Sequence, residues 1–249
     1  MCGMPQQFGL AATRAAVVLA TTLVVVGGYG RMGDAVAVAP VAAQQTAADP
    51  SRFAGEIDAF RQWDEKNSFP EDAVLFVGSS SIRLWATAVD FPDLPVINRG
   101  FGGSQIPDLL AHLDAVALKY RPRVVVFYAG DNDIQAGRAP EQVLADYRTF
   151  VERVRTVRAD TRFVYIPIKP SIARWERWPE MQRANALVRE LTDASPGLYY
   201  ADTAGPMLGA DGRPRPELFV DDGLHLSAAG YEVWTAVVRP VVDRALSTR

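Results

Sequence analysis

The chain predicts a single three-layer α/β domain of flavodoxin-like type with a five-stranded parallel sheet, on two observations. Short β-branched and apolar runs alternate with longer amphipathic ones from about residue 51 onward, and the short runs are apolar on both faces. Strands of that kind, separated by helices, imply a parallel sheet covered on both sides. With 249 residues, 49% of them hydrophobic, the chain has the material for a substantial core.

In chain order, residues 1–43 read as an export signal or N-terminal anchor. Arg14 precedes an apolar run over 15–26, followed by Gly27-Gly28 and an Ala-rich stretch containing Val41-Ala42-Ala43, which places a cleavage site after Ala43. The run is shorter than the roughly 20 residues a spanning helix needs, which favours a cleaved signal; an uncleaved anchor would have to extend back across Arg14 or forward through Tyr29. The protein is therefore expected to be secreted or held at the cell envelope, meeting a membrane only through this segment if it is retained. Residues 44–50 form a linker without a periodic face, and residues 51–249 form the domain. The only cysteine, Cys2, precedes the apolar run, so the domain is expected to have no disulfide.

Strands are expected at 73–77, 95–98, 123–128, 162–168 and 198–201, from their β-branched and aromatic content. Helices are expected at 52–66, 105–119, 140–158, 179–194 and 226–246. Ser227 is the expected N-cap of the last helix, His112 a half-buried or exposed helical residue, and the Pro-rich stretch 206–216 a surface loop.

Ligands of open parallel sheets bind at the carboxyl ends of the strands, and the chemically suggestive residues fall there. Val77-Gly78-Ser79-Ser80-Ser81 follows the first strand, Gly100-Phe101-Gly102-Gly103 the second, and Gly130-Asp131-Asn132-Asp133 the third. Asp222-Gly223-Leu224-His225 comes just before the last helix and holds one of only two histidines.

These are the residue types of nucleophilic catalysis. A serine hydroxyl needs a neutral imidazole to take its proton, and a carboxylate three residues before the histidine can fix the ring tautomer. A tetrahedral oxyanion needs preorganised donors, which the Ser80 amide, the Gly103 amide and the Asn132 carboxamide offer. Ser79, Ser81, Gly100 and Gly102 read as structural, and Asp131 and Asp133 as closing a strand-end turn. Trp175 and Trp178, after the fourth strand, either line a substrate cleft or seal a helix entry. Arg83, Arg99 and Arg174 lie near the same rim as candidate contacts for an anionic group.

The order Gly-x-Ser, Asn-x-Gly-x-Gly-Gly, Gly-x-Asn-Asp and Asp-x-x-His resembles the SGNH (GDSL-type) hydrolase family over essentially all of residues 72–246. Matched block to block, the resemblance puts Ser80 on the nucleophile, Ser80, Gly103 and Asn132 on the oxyanion hole, and Asp222 and His225 on the orienting acid and base. It implies a flavodoxin-like fold and metal-free, cofactor-free hydrolysis of carboxylic esters on small molecules or glycans. The first block departs from the family's usual Gly-Asp-Ser by having Ser79 in place of Asp; the Gly-Ser-Ser-Ser form is similar to a subgroup of secreted bacterial members. Short acyl groups such as O-acetyl on carbohydrate are the expected load. Lipid or lysophospholipid esters, or an inactive binding protein on the same fold, are the alternatives.

Other classes find little support. The net charge of -3 and the absence of a dense Lys/Arg run argue against nucleic-acid binding. The glycine spacing does not give the Gly-x-Gly-x-x-Gly of a phosphate-binding helix entry, and two histidines without a His-x-x-x-His pattern do not build a typical metal site.

Overall fold

The computed structural model describes residues 50–248, so the expected signal or anchor segment lies outside the described residues. Five parallel strands, β1 (Val74–Gly78), β2 (Val96–Gly100), β3 (Val124–Tyr128), β4 (Arg162–Tyr165) and β5 (Leu198–Tyr200), pair in the order β2-β1-β3-β4-β5. The sheet is that of the expected flavodoxin-like fold, and its strand order reverses between β1 and β3.

Strand residues alternate between two hydrophobic clusters because successive side chains point to opposite faces. Leu75, Val77, Val125, Phe127, Phe163 and Tyr165 pack on one side. That side is covered by α1 (Ala54–Lys66), α4 (Ile106–Ala111), α5 (Leu113–Val116), α7 (Pro140–Arg155) and α8 (Trp178–Ala194) through Ile57, Leu109, Leu113, Phe150 and Val188. Val74, Phe76, Val126, Tyr128 and Val164 pack on the other, against Ile82 of α2 (Ser80–Arg83), Phe91 just after α3 (Thr87–Asp90), and Trp234, Val238 and Val242 of α9 (Ala228–Ser247). A further short helix on the strand rim, α6 (Asp131–Gln135), follows β3. Each fully buried side chain of this size contributes about 1.5–3 kcal/mol to the core.

Local sequence explains most boundaries. Pro140 opens α7 where its missing N–H costs nothing, and Gln142 reaches back to the Ala139 amide at 2.8 Å. Ser227 caps α9 as expected, its hydroxyl accepting from Gly230 N at 3.3 Å. Pro240 lies within α9 on an exposed position, and the helix runs through it.

Two expected elements differ. The helix over 105–119 is broken into α4, α5 and a final 3-10 turn, with His112 in a non-helical conformation between the first two and its ring edge-on to Phe101. The break turns Leu113 and Val116 into the core. The fourth strand stops at Tyr165 rather than reaching 168, because Asn185 of α8 bonds both the N–H and the C=O of Ile168, at 2.8 and 2.9 Å, and draws the chain away from the sheet. The 206–216 stretch is a loop as expected, tied down by buried Met207 at one end and held near Leu218 at the other.

Candidate active site

Every segment singled out at a strand end converges on the carboxyl edge of the sheet. β1 ends at Gly78, which pairs with Gly100 on one side and Tyr128 on the other. A Cβ on Gly78 would lie 1.9 Å from the Tyr128 carbonyl oxygen, so only glycine allows this approach. The chain then turns sharply into α2, whose first residue is Ser80.

The three adjacent serines have different surroundings. Ser79 is fully buried and its hydroxyl has no hydrogen-bond partner among the described residues. Ser81 is buried and accepts from Lys169 Nζ at 3.2 Å. Ser80 is half-buried, and its Oγ lies 2.9 Å from His225 Nε2. His225 Nδ1 lies 2.6 Å from Asp222 Oδ2. Asp222 Oδ1 in turn accepts the backbone N–H groups of Leu224 and His225 at 2.8 and 2.9 Å. The bond to the His225 ring, followed by these two amides, holds the Asp222 carboxyl down to about 2, so it is ionised at neutral pH. An anionic Asp222 fixes the imidazole with its proton on Nδ1 and its lone pair aimed at Ser80.

The donors expected for an oxyanion are also on this edge. Gly103 has φ +70°, a conformation that favours glycine, within the loop after β2. Among the described residues, neither the Ser80 nor the Gly103 amide donates to a protein acceptor, which for Ser80 is expected of the first N–H of a helix. Asn132 Nδ2 donates one proton to Ser104 O at 2.9 Å and has a second to give.

Other roles differ from expectation. Asp131 and Asp133, expected to close the strand-end turn, are also buried anchors. Asp131 meets Lys169 at 3.2 Å and Arg174 at 3.3 Å. Burial alone would raise its carboxyl, but those two cations hold it below the ordinary carboxylate value. Asp133 accepts from Ile106 N at 3.1 Å and is pushed up to about 7 by burial, against the Ile106 N–H and Arg138. Arg99 is not at the rim: it is buried, bonded to Asp64 and to the Tyr120 hydroxyl. Trp175 and Trp178 stack on each other with centroids 6.0 Å apart, Trp178 in the core and Trp175 beneath Arg213, which is the packing of a sealed helix entry.

Two features escaped the sequence. The first is Lys169, 1% exposed at the end of an apolar run, where a lysine signals a buried partner and nothing more. The second is a clamp from α1 and the turn before it onto the loop after β2: Glu56 accepts from Gly102 N at 3.0 Å, and Arg52 donates to Gly103 O at 3.4 Å. Among the described residues, no group of three or more His, Cys, Asp or Glu side chains is arranged to hold a metal ion. No helix among them is long and apolar enough to cross a membrane.

Residues 81–233 match the model of the GDSL-like lipase/acylhydrolase family. The chain belongs to this family. It is thus a carboxylic ester hydrolase by family, and the match begins one residue after Ser80. The fold has many solved relatives. A protein from Streptococcus pneumonia, provisionally assigned as a platelet activating factor, is 22% identical with a TM-score of 0.70, over 77% of this chain and 93% of its own. A GDSL-like lipase from Bacteroides thetaiotaomicron is 20% identical with a TM-score of 0.64, over 79% of this chain and 98% of its own. A family 3 carbohydrate esterase from Clostridium thermocellum is 17% identical with a TM-score of 0.56, over 72% of this chain and all of its own. At these identities the likeness establishes the fold. No curated protein matches the chain by sequence.

Proposed function

We propose that this GDSL-type hydrolase is an exported serine esterase that forms an acyl-enzyme on Ser80 and removes short acyl groups, such as O-acetyl, from carbohydrate. The relay from Ser80 Oγ through His225 to Asp222, at 2.9 and 2.6 Å, carries the reading.

Ser80 Oγ attacks the ester carbonyl while its proton passes to His225 Nε2. The oxyanion that forms is met by the N–H groups of Ser80 and Gly103 and by Asn132 Nδ2. Collapse breaks the bond to the alcohol oxygen, which leaves with the proton from Nε2. A water then attacks the acyl carbon, gives its proton to Nε2, and the acid departs as that proton returns to Ser80 Oγ. Asp222 stays ionised throughout and stabilises the imidazolium.

Export rests on the N-terminal apolar segment of the sequence. The carbohydrate assignment is supported by fold relatives described as carbohydrate esterases and as an acetyl esterase with acetate. One observation favours a lipid ester instead. Leu84, Ile172 and Val220 are exposed apolar side chains on the segments that carry Ser80, Arg174 and His225.

Hydrolysis of p-nitrophenyl acetate, butyrate and octanoate by the full chain, with Ser80→Ala beside it, tests both points. Activity that falls with chain length and vanishes in the variant is expected. A preference for octanoate would transfer the assignment to lipid esters, and a Ser80→Ala rate above about a tenth of wild type would remove Ser80 as nucleophile.

A further inference from the structure

We propose that Arg174 is a positioning residue that orients and polarises the Asn132 carboxamide, with the buried Asp131 and Lys169 pair as its anchor. The inference rests on the reading of Asn132 as an oxyanion donor.

An asparagine side chain is a useful oxyanion donor only if its nitrogen, and not its oxygen, faces the reacting carbonyl. Asn132 is held in one of its two orientations from both ends. Arg174 Nη2 donates to Oδ1 at 2.9 Å, and Nδ2 donates to Ser104 O at 2.9 Å. Turning the amide over would set its NH2 against the guanidinium and its oxygen against the Ser104 carbonyl, which is repulsive at both contacts. A cation at Oδ1 also draws electron density from the amide and strengthens the remaining Nδ2 proton as a donor.

Arg174 is itself fixed from below. Its Nη1 lies 3.3 Å from Asp131 Oδ2, its side chain is 14% exposed, and it comes from the loop after β4 rather than from the Asn132 turn. Asp131 Oδ1 accepts the Asn132 backbone N–H at 2.9 Å, so one carboxylate binds both the main chain of Asn132 and the arginine that holds its side chain. Lys169, 1% exposed, supplies the second cation from below and directs its three donors at Asp131, Tyr128 and Ser81, at 3.2, 2.9 and 3.2 Å. Ser81 adjoins the nucleophile. The same buried cluster therefore ties the Ser80 helix to the Asn132 turn, and sets the distance between the attacking oxygen and the donor that meets the oxyanion.

The test is kcat and KM on p-nitrophenyl acetate for Asn132→Ala, Arg174→Met and the double variant, with melting temperatures recorded for each. Asn132→Ala is expected to lower kcat by about 10²–10³. Arg174→Met is expected to lower kcat by about 10–10², with KM within about twofold, and to add nothing when Asn132 is already alanine, because it acts through that side chain. Arg174→Lys keeps a cation for Asp131 while giving up the second guanidinium nitrogen. It should melt near wild type and still show the loss in kcat, which a purely structural role would not produce. An unchanged kcat in the Arg174 variants, or losses that multiply in the double variant, would overturn the inference while leaving Asn132 in place. A wild-type rate in Asn132→Ala would overturn the oxyanion reading, and the inference with it.

Discussion

Replacing Asp222 by asparagine tests the relay where its geometry is most constrained. Asp222 Oδ1 is engaged by two backbone N–H groups, at 2.8 and 2.9 Å, while Oδ2 faces His225 Nδ1 at 2.6 Å. A carboxamide has a single acceptor oxygen, and the two amides hold it where Oδ1 was. Its NH2 then takes the place of Oδ2 and faces the imidazole as a donor. Nδ1 can satisfy it only by accepting, which moves the ring proton to Nε2, and an Nε2–H cannot take the proton of Ser80. The expected loss in kcat is about 10⁴, equivalent to about 5.5 kcal/mol of transition-state stabilisation. The Asp222 side chain is 46% exposed, so stability should stay within about 0.5 kcal/mol of wild type. Steady-state hydrolysis of p-nitrophenyl acetate, beside the rate of fluorophosphonate labelling of Ser80, reads the effect. A variant within about tenfold of wild type would refute the tautomer argument, and with it the role of Asp222.

His225→Ala should remove nearly all esterase activity and leave the fold intact; a rate above about a tenth of wild type would show that another group takes the Ser80 proton. Gly78→Ala should cost about 3 kcal/mol or more, because the added Cβ meets the Tyr128 carbonyl oxygen at 1.9 Å and forces β1 from β3; an unchanged urea midpoint would contradict the register described. Asp133 titrates at about 7 in the fold against an ordinary 3.8, so the folded state binds more protons between those values and wild-type stability should fall as pH rises through them, by up to roughly 4 kcal/mol. Asp133→Asn keeps an acceptor for Ile106 N–H and cannot ionise, so its denaturation midpoints at pH 5 and pH 8 should agree; a fall parallel to wild type would assign the dependence elsewhere.

The sheet and the order of the site were legible because each rests on a local signal. Apolar runs such as 123–128 identify a strand without knowledge of its partners, and Ser80, Gly103, Asn132 and Asp222 with His225 each follow or precede a recognisable element. What escaped depends on partners distant in sequence. Glu56 and Gly102 are 46 positions apart, and neither looks unusual until α1 is laid over the loop. Arg99 sits in a strand beside a glycine-rich loop and reads as a rim residue, yet Asp64 and Tyr120 draw it under the sheet edge. Asp131 and Asp133 have the local chemistry of turn residues, and only Lys169, Arg174 and Ile106 reveal them as buried anchors. The break at His112 depends on packing against Phe101, which helical periodicity cannot register.

The Ser80 hydroxyl, the proposed nucleophile, is placed by the residues on either side of it as much as by its own bond to His225. Ser79 N donates to Tyr128 O at 3.1 Å, and the Ser79 carbonyl accepts from both Ile82 and Arg83, which ties the turn to β3 and closes the first turn of α2. Ser81 is bonded twice, its hydroxyl to Lys169 and its carbonyl to the Tyr231 hydroxyl of α9 at 2.9 Å. With both neighbours fixed, Ser80 has one hydrogen-bonding partner for its side chain among the described residues, His225, and little freedom to lose on reaching the reactive geometry. The same arrangement explains why the family's usual Gly-Asp-Ser can become Gly-Ser-Ser here. Position 79 is fully buried and makes no side-chain hydrogen bond among the described residues, so a small neutral side chain suits it. A carboxylate at that depth would need a partner, and the donors of the buried Lys169 are already directed at Ser81, Tyr128 and Asp131. In the proposed mechanism the chemistry constrains the hydroxyl at position 80, while position 79 answers to packing.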